Sequence, residues 1–210
     1  MDQMKTEAGP CITGIEAIPV IVKGKQDFKI SEGRTRVHTS VIIRILTDDE
    51  SLEGIGEIVC APPGKPEELP EEILGAVRNV VAPVLVGLDV SSRTKGGALI
   101  DAALKGRPWT KAGINNALYD LQAKALGTSV LDLMGGRVNE RIPVMGTVLG
   151  IDTPDRMAQR AADTVAAGFR AVKVKIGENI ANDIARVAAV RDAVGPEIAM
   201  RVDANDHYRP

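Results

Sequence analysis

Lys173-Val174-Lys175 and, one chain segment later, Asp203-Ala204-Asn205 bring together residue types suited to moving a proton. Each triplet lies at the carboxyl end of a stretch that reads as a β-strand, where residues i and i+2 face the same side. One strand then presents two amines with stems about 7 Å apart, and the next presents a carboxylate and an amide. Two neighbouring cations disfavour each other's protonated form and partial burial acts in the same direction, so one lysine can serve as a general base. Asp203 is a hard oxygen donor of the kind a divalent cation takes. The combination points to proton abstraction beside a metal-bound carboxylate. Plainer readings stand next to it: solvated lysines on an edge strand, a turn aspartate, and an Asx-turn at Asn205. A lone aspartate is also no metal site, because Mg²⁺ needs several oxygen ligands.

Side-chain parity weighs on that choice. Val172 and Val174 alternate with the two lysines. In the next strand Ile198, Met200 and Val202 share one parity, and Ala199, Arg201, Asp203 and Asn205 the other. An apolar outer face with a charged inner face is odd for a doubly wound sheet, where both faces are covered. It fits a β/α barrel with a polar site at the strand ends, and it favours convergence of the lysines over their solvation. Arg201, one inward position below Asp203, is a candidate to hold that carboxylate, with a structural ion pair as the plainer version. Thr147, at the end of the preceding strand, joins Asn205 and Arg201 as a candidate substrate-binding or supporting residue. His38 and His207 stand alone and read as surface or packing residues.

The elements that must position these groups fall into two patterns. Residues 12–22, 35–47 and 52–59 read as strands, the last two forming an antiparallel hairpin about Asp48-Asp49-Glu50-Ser51. Residues 23–36, with Gly24, Gly33, Lys23, Lys25, Lys29, Arg34 and Arg36, read as a long basic loop. Pro62-Pro63-Gly64 marks a break, followed by helices over 66–85, 91–105, 110–126 and 130–134. From Arg141 strands (142–148, 170–175, 198–203) alternate with helices (154–167, capped by Thr153, and 179–194). Units of about 30 residues mean parallel strands with crossover helices. The domains expected are a loose lead-in at 1–10, an α+β domain over 11–136 and the start of a β/α domain over 137–210.

Composition sets outer limits. With 44% hydrophobic and 26% charged residues and a formal net charge of −2, the chain gives no argument for binding nucleic acid or an anionic membrane. Only 2% of residues are aromatic, so stacking platforms for bases are not expected. No apolar run approaches the 18 or so residues that span a bilayer, and Met1–Pro10 lacks a secretory core. The two cysteines, Cys11 and Cys60, make no zinc spacing and read as buried thiols of a cytoplasmic protein.

Four motifs in order resemble the enolase superfamily, and within it the mandelate racemase and muconate lactonizing enzyme group. They are Ser51-Leu52-Glu53-Gly54-Ile55-Gly56-Glu57; Ala117-Leu118-Tyr119-Asp120-Leu121-Gln122-Ala123-Lys124-Ala125-Leu126-Gly127 with Leu133-Met134-Gly135-Gly136; Lys173-Val174-Lys175-Ile176-Gly177; and Val202-Asp203-Ala204-Asn205. The resemblance implies an α+β capping domain followed by the first three β/α units of a modified TIM barrel, incomplete in this chain. It implies that Lys175 is an acid/base, that Lys173 tunes it and touches the substrate carboxylate, and that Asp203 is the first of three acidic Mg²⁺ ligands. The reaction implied is Mg²⁺-dependent abstraction of a proton α to a carboxylate through an enediolate, in a racemase, epimerase or cycloisomerase of a small carboxylic or amino acid. A hydroxy-acid dehydratase using the same enediolate is the alternative, and a non-catalytic binding or assembly module is an alternative of another class. The substrate expected is a small-molecule carboxylate, and family analogy implies a homo-oligomer. The basic loop lies where the family's capping loop closes over substrate, which implies contact with an anionic group; a solvated charged loop is the equal alternative. Because such barrels take about 250 residues, the chain is expected to be a fragment and inactive alone.

Overall fold

The computed structural model describes residues 9–31, 33–60, 68–205 and 207–208, apart from the side chains of residues 25, 26 and 33–36. Two compact units divide it, one of residues 1–22 and 37–138, the other of 23–36 and 139–210.

The first unit carries a sheet in the order β1-β2-β3, formed by β1 (Ile12–Ile30), β2 (Gly33–Thr47) and β3 (Glu53–Val59). Strands β2 and β3 pair antiparallel, with Ile43 opposite Gly56 and Ile45 opposite Gly54. On the inner face Val41, Ile43 and Ile45 are fully buried, while Val37 at the far end of the same alternation is exposed. The helices are α1 (Pro70–Ala76), a π-helical turn (Val77–Val81), α2 (Ala82–Leu85), α3 (Arg93–Ala103), α4 (Pro108–Ala125) and α5 (Val130–Leu133). Ile73, Val77, Leu85, Ile100, Ile114 and Leu121 close the core against the sheet.

Helix α4 lies so close to β3 that a Cβ on Gly56 would collide with the carbonyl of Gly113 and the backbone N of Ala117. Asp120 accepts the Ile55 N–H at 2.8 Å, and Lys124 donates to the Glu53 carbonyl at 3.0 Å. Polar residues of α4 thereby occupy backbone groups of β3. The helix begins two residues earlier than the sequence indicates. Pro108 fits its first turn, and the buried Glu68 accepts the N–H groups of Trp109 and Thr110 and the Thr110 hydroxyl. The expected break at Pro62-Pro63-Gly64 and the helix start at Pro66 lie outside the described residues.

The basic loop expected over 23–36 is instead strand. β1 and β2 continue to Ile30 and Gly33, leaving residues 31–32 between them. Ladder bonds use only the backbone, so a polar segment with lysines can still pair as strand. This extension also groups with the second unit rather than the first. The side chains of Lys25, Arg34 and Arg36 lie outside the described residues.

The second unit holds three parallel strands in the order β4-β5-β6: β4 (Val148–Leu149), β5 (Ala171–Lys175) and β6 (Ala199–Asp203). Helices α6 (Pro154–Ala166) and α7 (Ile180–Val194) are the crossovers. Leu149, Met157, Ala161, Val172, Val174, Val190 and Ile198 form its buried core, with Met200 packed against it. β4 is far shorter than the expected 142–148, and Ile142 and Val144 are exposed. Thr153 occupies the N-cap position of α6 without a side-chain capping bond, whereas Asn179 caps α7 by accepting from the N–H groups of Ala181 and Asn182. Val202, expected to be covered by helix, is 48% exposed. It lines an open apolar groove of about 700 Å³ with Ile180, Ile184, Val187, Met200 and Tyr208.

Candidate active site

Parallel pairing sets Lys175 directly opposite Asp203 and Lys173 opposite Arg201. Directly opposed residues on neighbouring strands meet, and the diagonal neighbour remains within reach of a long side chain. Both amines arrive at the same carboxylate oxygen: Lys173 Nζ lies 2.5 Å and Lys175 Nζ 2.7 Å from Asp203 Oδ2. Lys175 Nζ also donates to Asn205 Oδ1 at 2.5 Å. The other oxygen, Asp203 Oδ1, accepts the Asn205 N–H at 3.1 Å, an Asx-turn that holds Asn205 at φ 47°. The side chain that makes the turn is therefore that of Asp203, while the side chain of Asn205 is directed to Lys175.

Burial grades the pair. The Lys175 side chain is 9% exposed and that of Lys173 is 24% exposed, so Lys173 is the more accessible amine. Hydrogen bonds from Lys173, then from Lys175 and the Asn205 N–H, hold the Asp203 carboxyl well below the usual carboxylate range. Two ammonium groups against one carboxylate leave one positive charge, and the exposed Arg201 adds a second on the same face. A face of that sign suits an anionic ligand.

Two expected members of the site stand apart. Arg201 makes no ion pair with Asp203 among the described residues, because the carboxylate is already engaged by the two lysines. Thr147 is exposed and precedes β4, and it is Val148 that is in register with Lys173. His38 and His207 are both exposed.

The strand ends are also tied to the β1–β2 extension, the segment expected from the family resemblance to lie over the substrate. The Lys29 carbonyl accepts the Ile151 N–H at 2.8 Å, Lys29 Nζ pairs with Glu178, and Ser31 Oγ donates to the Ala204 carbonyl at 2.9 Å. A Cβ on Gly177 would come within 2.9 Å of Ser31 Cβ, so the close approach requires glycine there. Glu178 is shared with Arg186, which also bonds the buried Asp183.

Among the described residues no group of three or more His, Cys, Asp or Glu could hold a metal ion. Asp203 is a single carboxylate with both oxygens engaged. By themselves these residues do not make a Mg²⁺ site.

With this geometry established, comparison with known proteins gives the class. The N-terminal domain of the mandelate racemase / muconate lactonizing enzyme family matches residues 14–135, and an enolase C-terminal domain-like family matches residues 156–210. The chain belongs to the mandelate racemase / muconate lactonizing enzyme group of the enolase superfamily. It is similar to the N-succinyl-L-Arg/Lys racemase of Bacillus cereus, with 34% identity over 94% of this chain and 53% of the relative, and a TM-score of 0.86 to the racemase crystal structure. A dipeptide epimerase from Enterococcus faecalis, crystallised with Mg and the dipeptide L-Leu-L-Tyr, is 32% identical with a TM-score of 0.85, over 94% of this chain and 55% of that one. The muconate lactonizing enzyme of Pseudomonas fluorescens, in complex with muconolactone, is 30% identical with a TM-score of 0.88, over 96% of this chain and 54% of that one. The chain spans about half the length of the curated relatives it matches. No helix among the described residues is long and apolar enough to cross a membrane.

Proposed function

We propose that this chain carries one acid/base half of an enzyme that abstracts the proton α to the carboxylate of a small acid, in a racemisation, epimerisation or cycloisomerisation. The observation that carries the reading is the convergence of Lys173 and Lys175 on Asp203 at 2.5 and 2.7 Å at the carboxyl ends of parallel strands. Lys175, the more buried amine, takes the α-proton in its neutral form. Lys173, the more accessible, binds the substrate carboxylate and offsets the negative charge that grows there as the enediolate forms. Asn205 holds Lys175 from one side and fixes the direction in which its amine can reach. A Mg²⁺ ion with Asp203 as one of its oxygen ligands would supply further positive charge beside the substrate carboxylate.

Relatives support the reaction class without narrowing the substrate, since the racemase, epimerase and lactonizing enzyme stand at 34%, 32% and 30% identity. A cytoplasmic location agrees with two free cysteines, Cys11 and Cys60.

The test is proton exchange in D₂O containing Mg²⁺, read by NMR as loss of the α-proton signal of N-acyl amino acids or dipeptides. The intact gene product should exchange it, and Lys175→Ala should slow exchange by about 10²–10⁴-fold. The 210-residue chain alone should show none. Undiminished exchange in Lys175→Ala would sink the assignment.

A further inference from the structure

Asp183, in the first turn of α7, is 4% exposed and takes no part in the chemistry above. An acid at a helix N-terminus ordinarily serves the helix's own N–H groups. Here Asn179 already does so. The carboxylate of Asp183 is directed elsewhere: it accepts the N–H groups of Gly177 at 2.8 Å and Glu178 at 3.3 Å, Arg186 Nη1 at 2.7 Å, and the Tyr208 hydroxyl.

Gly177 lies just beyond Lys175, and Tyr208 just beyond Asn205. Between them the Ile176 N–H donates to the Asp203 carbonyl at 3.0 Å, and the turn after β6 is closed by the His207 N–H on the Ala204 carbonyl at 3.1 Å. One buried acid thus fastens the segment leaving β5 to the segment leaving β6. Those segments carry the groups that must meet: Lys175 on one, Asp203 and Asn205 on the other.

We propose that Asp183 is a positioning residue for the Lys175–Asp203–Asn205 cluster. It holds Asn205 Oδ1 and Asp203 Oδ2 at 2.5 and 2.7 Å from Lys175 Nζ by anchoring both strand exits. The role rests on reading that cluster as the site, but it can be examined without substrate or metal. Removing the anchor frees the turn at Asn205, and the amine loses its fixed partners.

The experiment uses the 210-residue chain labelled with ¹⁵N-lysine, in which an ammonium held by hydrogen bonds gives an observable Nζ–H cross-peak. The parent should show this peak for Lys175. In Asp183→Asn, which preserves side-chain size, the peak should be lost, while amide shifts in α6 and in the first unit stay in place. A variant whose Gly177 and Glu178 amides move while the Lys175 peak keeps its parental intensity would overturn the proposal, leaving Asp183 a stabilising residue only. Should Asp183→Asn fail to fold, Tyr208→Phe removes one donor from the exposed side; a fall in the peak of twofold or more supports the proposal and an unchanged peak overturns it. No Lys175 peak in the parent would overturn the cluster and the positioning role together. Absence of α-proton exchange in the intact gene product, with the peak behaving as described, would sink the proposed reaction alone.

Discussion

Ser31 Oγ donates to the carbonyl of Ala204 at 2.9 Å, which bonds the end of a strand pair to the peptide between Asp203 and Asn205. Lys29 adds its pair with Glu178 and its carbonyl bond from the Ile151 N–H. Residues 29–31 therefore touch the segments that follow β4, β5 and β6.

Lys29→Met should loosen that attachment. The side chains of Lys29 and Glu178 are 35% and 28% exposed, and a partly solvated pair contributes about 0.5–1 kcal/mol. Amide exchange at Ile151, followed by mass spectrometry or NMR, should speed up by about 2–5-fold. Exchange equal to that of the parent would mean that the backbone bonds hold the tip unaided.

Acid should weaken the second unit in a defined window. Burial pushes the Asp183 carboxyl up, but the Tyr208 hydroxyl, the Gly177 N–H, Arg186 and the Glu178 N–H outweigh it and leave it below the ordinary range. Glu178 is also lowered, chiefly by Lys29. A carboxyl lowered on folding contributes stability that is present above its unfolded value, about 4, and is lost as the pH falls through the folded one. Urea unfolding free energy should stay level from pH 7 to about 5 and decline below about 4. Asp183→Asn should flatten that decline; an acid limb as steep as the parent's would refute the assignment.

Arg186 tests the same network from the cationic side. Its guanidinium is 9% exposed and bonded to Asp183, Glu178 and the Asp152 carbonyl. Arg186→Met leaves two carboxylates facing each other with one partner removed, and should cost about 3–5 kcal/mol in denaturant unfolding. A loss below about 1 kcal/mol would show the ion pairs to be solvated.

Two glycine substitutions should act in opposite directions. Gly56→Ala drives a methyl into the backbone of α4 and should cost about 1–3 kcal/mol. Gly97→Ala, inside α3 with nothing within 4 Å of its added carbon, should gain about 1 kcal/mol. Thermal midpoints of the two variants on either side of the parent's would bear this out, and a shared direction would contradict it.

Much of this arrangement can be read from side-chain alternation. The valines and lysines of β5 are assigned to opposite faces by a period of two, and Val172 and Val174 are fully buried. The same rule placed Lys175 and Asp203 on one face, because the apolar residues of both strands take the opposite parity and must share the buried side. Length was harder. β4 has two paired residues although the run from 142 to 148 has strand composition, since apolar residues do not become strand without a partner backbone. The extension of β1 and β2 was hidden for the converse reason: its residues are polar, but their backbones pair. Long-range contacts such as Glu68 with Trp109 and Thr110, or Asp183 with Tyr208, leave no local pattern. Asp120 and Lys124 could be quoted as part of a motif, but only the geometry shows that they serve the edge of β3.

The left-handed backbone at Asn205 has a consequence for which substitutions the position tolerates. A φ of 47° disfavours nearly every side chain except asparagine, aspartate and glycine. Glycine would leave the Lys175 ammonium without an oxygen at that spot, and aspartate would crowd a second anion against Asp203. Conformational permission and charge bookkeeping intersect at one amino acid, so this amide is among the least replaceable residues in the chain.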